Sequence, residues 1–159
     1  MKTLTHFISL VFAFASAVAF GGTAFIMPDE IRTEPGVTAS IAKDGSVYVT
    51  SPGKAEEVVL VWRRKHSPST RYFRNDWERA YGEAGWTTLA DDSGMGSAWY
   101  CLIKEDDGRV DGWGVEVQPN ALCWWQIAPE EIRLTLDIRA GAMPVNLKGR
   151  TLKAAKLVM

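Results

Sequence analysis

The groups that could do chemistry are concentrated between residues 75 and 86, in Asn75-Asp76-Trp77-Glu78-Arg79-Ala80-Tyr81-Gly82 followed by Trp86. Two acids, one arginine and three aromatics share a short segment that is too polar for a core and too aromatic for an ordinary solvated loop. Glycoside hydrolysis needs two carboxylates about 5 to 9 Å apart, one held protonated and the other ionised. Asp76 and Glu78 are near enough in sequence to meet that spacing. Arg79 argues against it, because a carboxylate beside a guanidinium is held ionised rather than poised as an acid. An Asp76–Arg79 or Glu78–Arg79 ion pair pinning the segment is therefore the favoured reading, and no residue is assigned as catalytic. Trp77, Tyr81 and Trp86 suit a different task. An aromatic face accepts the apolar C–H face of a pyranose while flanking polar groups bond its hydroxyls, as in partly apolar ligand sites generally.

The other tryptophans have a plainer use. Trp62, Trp99 and one of the adjacent pair Trp124 and Trp125 are expected in a core, since neighbouring residues of a strand point to opposite faces. Trp77 and Trp86, in polar and glycine-rich surroundings, are expected to be exposed. The only histidines are His6 and His66. A Ser/His/Asp triad has no base in a recognisable motif, and a zinc site of the usual His/Cys type has too few ligands. Asp91-Asp92-Ser93-Gly94 and Glu105-Asp106-Asp107-Gly108 lack the ligand spacing of calcium loops and read as polar turns. No glycine-rich phosphate loop is present. Neither a metal nor an organic cofactor is expected. A net charge of −1 without a basic stripe speaks against a nucleic-acid partner.

Residues 7 to 27 carry no charge and follow Lys2. With Ala17-Val18-Ala19 as an A-x-A pattern, they predict a signal peptide within residues 1–24, cleaved near Ala19 or Ala24. The protein is then secreted or periplasmic, with no membrane partner after cleavage. A membrane anchor is the alternative, because the run reaches spanning length; Gly21-Gly22-Thr23 interrupts it. About 140 residues remain, one domain large enough for a core without metal staples. In an oxidising compartment Cys101 and Cys123 can pair. They sit in two strand-like runs, WYCLI and ALCWWQI. A disulfide forms only if both face inward on neighbouring strands; two buried free thiols acting as small hydrophobes are the other outcome, and the residues leave both open.

The elements that must position these groups are short strands. Residues 25–36 read as an irregular lead-in, and 37–159 as one β-sandwich domain. Strands are expected at Val37–Ala42, Ser46–Thr50, Val58–Trp62, Ala98–Lys104, Trp113–Gln118, Leu122–Ile127, Ile132–Ile138, Val145–Leu147 and Leu152–Met159. Lys43-Asp44-Gly45 and Glu105-Asp106-Asp107-Gly108 supply hairpin turns. In Ile132–Ile138 apolar residues alternate with Arg133, Thr135 and Asp137, one core face and one polar face. Residues 66–85 show no strand alternation. Short strands, glycine and proline turns and no long amphipathic helix argue for an all-β, antiparallel β-sandwich preceded by a signal peptide.

The runs Val61-Trp62-Arg63-Arg64, Asp76 to Gly82 with Trp86, Ala98-Trp99-Tyr100, Gly112-Trp113-Gly114-Val115, Ala121 to Ile127, Leu134 to Gly141 and Val145 to Ala155 occur in a telling order. Together they resemble the N-terminal β-sandwich region of secreted bacterial α-galactosidase-like glycoside hydrolases of clan D, over about residues 58 to 158. In that family a separate (β/α)-barrel carries the catalytic carboxylates, and α-galactosides are cleaved with retention and without a cofactor. The resemblance therefore implies an accessory domain that contacts carbohydrate, galactosides among them, or scaffolds a catalytic barrel chain. This sequence stops about where the barrel would begin, so catalysis by this polypeptide alone is not expected. The resemblance also implies sugar contact at Asp76, Trp77, Glu78, Arg79 and Tyr81. The chain departs from the family pattern at Thr87-Thr88, Ala142-Met143-Pro144 and Cys101. A free-standing secreted carbohydrate-binding or cell-surface interaction module is the alternative.

Overall fold

The computed structural model describes residues 25–75, 84–91, 96–116 and 119–159. Among them every regular element is a strand. In chain order these are β1 (Glu30–Thr33), β2 (Thr38–Ile41), β3 (Ser46–Thr50), β4 (Lys54–Ala55), β5 (Glu57–Arg63), β6 (Arg71–Arg74), β7 (Gly85–Thr88), β8 (Ser97–Ala98), β9 (Tyr100–Lys104), β10 (Val110–Val115), β11 (Leu122–Ala128), β12 (Glu131–Asp137), β13 (Val145–Asn146) and β14 (Thr151–Val158). One sheet has the order β1-β5-β12-β11-β8, and a second, larger one the order β2-β3-β14-β10-β9-β6-β7. β4 and β13 form a separate small ladder. The fold is all-β, with antiparallel sheets packed together, consistent with the expected sandwich.

Local chemistry explains the expected elements that appear. In β12, Ile132, Leu134 and Leu136 are fully buried, while Arg133, Thr135 and Asp137 are not, as period-two alternation requires. Gly45 closes the β2–β3 connection at φ 85°, a conformation costly for any residue with a Cβ. Its carbonyl accepts from Leu157 N, which ties the turn to β14. The β9–β10 hairpin turns through Gly108, also at φ 85°, with Glu105 N donating to Arg109 O.

The sheets are joined through a tryptophan cluster. Trp62 of β5 and Trp125 of β11 stack at 5.6 Å, and Trp113 of β10, from the other sheet, meets them edge-on at 5.4 and 6.1 Å. All three are buried. Trp62 Nε1 donates to Ile26 O and Trp125 Nε1 to Trp99 O, so two of the indoles also satisfy backbone carbonyls.

Several expectations need correction. The lead-in is not wholly irregular: β1 pairs with β5 over Glu30–Thr33, and Arg32 and Arg63 converge on Glu30. Ala98–Lys104 is not one strand. β8 pairs with β11 in the smaller sheet and β9 with β10 in the larger one. The chain changes sheets at Trp99, whose φ is 65°, and this tryptophan is only partly buried, not in the core as expected. Residues 66–85 contribute β6 and open into β7, the edge strand beside it; Arg71-Tyr72-Phe73-Arg74 of β6 mixes apolar and basic residues, which hides the alternation. Of the two outcomes left open for Cys101 and Cys123, the structure has the free thiols. They lie on β9 and β11, in different sheets, as buried free thiols. Burial pushes the Cys123 thiol up to about 12 and raises Cys101 as well, so both stay protonated at neutral pH.

Candidate functional site

Asp76, Trp77, Glu78, Arg79 and Tyr81 lie outside the described residues; their segment links β6 to β7. Trp86 is described, on edge strand β7, and is 40% exposed, as expected. Its surroundings form an ordered outer face. Tyr72, Cys101, Ile103 and Trp113 point into the core, so alternation turns Arg71 and Phe73, Tyr100, Leu102 and Lys104, and Val110, Gly112 and Gly114 outward. The register aligns them in rows across the strands. Trp86 faces Phe73, Phe73 faces Leu102, and Leu102 faces Gly112. The neighbouring row runs Thr88, Arg71, Lys104, Val110.

At a strand spacing of about 4.8 Å, each row spans roughly 14 Å. Phe73 meets Trp86 edge-on at 5.7 Å, and the Arg71 guanidinium lies 5.7 Å from the Trp86 ring centre. Tyr100 and Val110 are also exposed. Gly112 and Gly114 keep β10 low between them: a Cβ on Gly114 would come within 3.3 Å of Tyr100 Cβ. The result is an outward face on which Trp86, Phe73 and Tyr100 stand beside the two glycines of β10. Sequence reading found Trp86 but missed Phe73, Tyr100 and Arg71, because only strand register brings them to one face.

A second cluster closes the core at the end of β5. Arg64 Nη2 donates to Glu105 Oε1 and to Asp111 Oδ2, both at 2.6 Å, and its guanidinium lies 5.8 Å from the Trp113 ring centre. His66 is buried beside it, with neither ring nitrogen bonded to a protein partner among the described residues; Trp113 Nε1 is likewise unpartnered. The neighbouring hydroxyls of Ser67, Ser69 and Thr70 bond one another, so His66 activates no serine here. Among the described residues no three His, Cys, Asp or Glu side chains are grouped to hold a metal. A shallow groove of about 190 Å3 beside β14 is lined by Glu116, Pro119, Asn120 and the 153–156 backbone region; Lys156 there pairs with Glu116.

Burial pushes His66 below its ordinary value of 6.5, with Glu105 opposing and Arg64 reinforcing the shift. The unfolded chain takes up this proton near 6.5, while the folded chain stays neutral to lower pH. The unfolded state then binds more protons, and stability falls with acidification. Arg32 and Arg139 hold Glu30 and Asp137 below the usual carboxylate range through side-chain hydrogen bonds. Their stabilisation is present above the unfolded carboxylate values and disappears as pH drops through the folded ones. We expect urea midpoints to decline in two stages, the first starting near pH 6.5 and the second near pH 4. His66→Leu should flatten the first stage and leave the second. An unchanged first stage would exclude His66 as its origin.

No protein-family model, curated protein or solved structure matches this chain. The functional reading therefore stands on the residues and their arrangement.

Proposed function

We propose that this chain is a non-catalytic, exported β-sandwich domain that contacts carbohydrate through the outer face of β7, β6, β9 and β10. The observation that carries the reading is the row of Trp86 and Phe73, with exposed Tyr100 nearby, beside the glycines of β10. Pyranose rings stack on such faces, and the flanking Arg71 and Lys104 supply hydrogen-bond donors for hydroxyls. The acidic-aromatic segment with Asp76, Trp77, Glu78, Arg79 and Tyr81 begins and ends on the strands that present this face, which favours one shared sugar site. Kinship with the N-terminal domain of α-galactosidase-type glycoside hydrolases, galactosides as ligands, and secretion or periplasmic export by a signal peptide in residues 1–24 belong to the same proposal, supported by the sequence pattern. A scaffolding role toward a catalytic barrel is the second reading, favoured by Leu122 and Met143, which are 52% and 66% exposed.

The test is titration of the mature chain with galactans and a panel of other glycans by calorimetry, with released sugar assayed in parallel. Trp86→Ala is expected to weaken binding by about two- to tenfold, since aromatic contacts contribute on the order of 0.5–1.5 kcal/mol. Its thermal midpoint should stay close to that of the parent, because the ring is half exposed at an edge. Binding indifferent to Trp86→Ala would move the site elsewhere. Sugar release abolished by Glu78→Gln would overturn the non-catalytic assignment.

A further inference from the structure

The outward face of β7, β6, β9 and β10 has a charge pattern that folding alone does not account for. Arg71 and Lys104 are directly opposite one another on β6 and β9, both exposed. Like charges in that position repel. Among the described residues neither has a carboxylate partner, whereas Arg32, Arg63, Arg64, Arg109, Arg133 and Arg139 all pair with acids. The nearest acids are engaged elsewhere: Glu105, next to Lys104, and Asp111, next to Val110, both turn to Arg64, and Asp91, just beyond β7, accepts from the Thr88 hydroxyl. The outward residues of β7, β6, β9 and β10 thus carry two cations and no acid, on a chain whose net charge is −1.

The cations occupy the row beside Trp86 and Phe73, one residue pair along the same strands. Arg71 serves both features, since its guanidinium also lies over Trp86. A ligand with its ring on Trp86 or Phe73 brings a substituent about 7 Å further along the strand, over the Arg71–Lys104 pair. An anionic substituent there would relieve the repulsion and gain two charge-assisted hydrogen bonds. Resting on the carbohydrate reading above, we infer that the face selects anionic glycans, in which a carboxylate or sulfate ester sits between Arg71 and Lys104 while the sugar ring stacks on Trp86 or Phe73. Two cations in an otherwise acidic protein fit a glycan with spaced charges better than the continuous phosphates of a nucleic acid.

The experiment compares neutral galactan, polygalacturonate, a sulfated galactan and single-stranded DNA as ligands of the mature chain at low salt and at about 0.15 M. The expected result is at least tenfold tighter binding of one or both acidic glycans than of neutral galactan. Arg71→Ala/Lys104→Ala should lower acidic-glycan binding to the neutral level, and added salt should weaken the parent but not the variant. The two acidic polymers identify which anion is favoured. The thermal midpoint of the variant should hold or rise, because a repulsive pair is removed; a clear fall would show a structural role and overturn the inference. Equal binding of neutral and acidic glycans, still lost in Trp86→Ala, would sink anion selection and leave the sugar platform standing. No binding of any glycan would remove both, and tighter capture of DNA would replace the glycan with a nucleic acid.

Discussion

Trp125→Ala is expected to remove about 3–5 kcal/mol of folding stability, the range for deleting a large buried aromatic. Trp125 is fully buried in β11, a strand bonded on both sides, to β12 and to β8. Its ring stacks on Trp62 in its own sheet and meets Trp113 from the facing one. Truncation leaves a void that two rigid rings cannot collapse to fill. The same substitution removes the 3.1 Å hydrogen bond from Trp125 Nε1 to Trp99 O, at the residue where the chain passes between sheets. That carbonyl keeps its other donor, Val115 N, so the corner is loosened rather than orphaned. Domains of this size have about 5–15 kcal/mol in hand, so the variant should be poorly folded or unfolded near 37 °C. Urea denaturation followed by far-UV circular dichroism gives the value. Trp125→Phe separates the contributions: it keeps an aromatic in the stack, loses the indole donor, and should cost clearly less. A loss below about 1.5 kcal/mol for alanine would mean that the core repacks freely and that the three indoles are not its keystone.

What was legible in the sequence follows from which interactions are local. Alternation in Ile132–Ile138 and the glycines of the two hairpins are written within a few residues, and they appear in β12, Gly45 and Gly108. Trp86 is exposed because its own neighbours are polar or small. The break at Trp99 was not legible. A continuous apolar run from Ala98 to Ile103 reads as one strand, and only pairing with two different sheets divides it. The state of the thiols stayed open for the same reason, since alternation gives a face but not the partner strand. His66 showed no motif because its environment comes from Arg64 and Glu105, and Glu105 lies 39 residues away along the chain. The aromatic face was half visible: Trp86 by composition, and Phe73, Tyr100 and the Arg71–Lys104 pair only by register. The acidic-aromatic segment, read most closely in the sequence, falls outside the described residues, so its role waits on the binding tests.

Gly96→Ala should cost about 2–3 kcal/mol although it adds a single methyl group, at the upper end of what overpacking a tight site usually costs. Gly96 is buried immediately before β8, where that short strand lies against β11. A Cβ built there collides with Trp124 Nε1 and with the Trp125 carbonyl oxygen. The carbonyl cannot give way, because β11 is held by seven register pairs to β12. Relief must come from β8, which has only two pairs to β11 and is followed at once by Trp99. Displacing β8 shifts the Trp99 corner, from which β9 presents Tyr100 to the proposed sugar face. The substitution is therefore expected to lower both the urea midpoint and glycan affinity, whereas Trp86→Ala lowers affinity alone. Gly53→Ala is the matched control: nothing lies within 4 Å of a Cβ there and its φ is not positive, so it should be neutral or gain about 0.4–1 kcal/mol through reduced chain entropy. If Gly96→Ala behaves like Gly53→Ala, the close seating of β8 on β11 is wrong, and with it the route by which the core fixes the aromatic face. If it destabilises and Gly53→Ala does not, one methyl-sized space couples the tryptophan core to that surface.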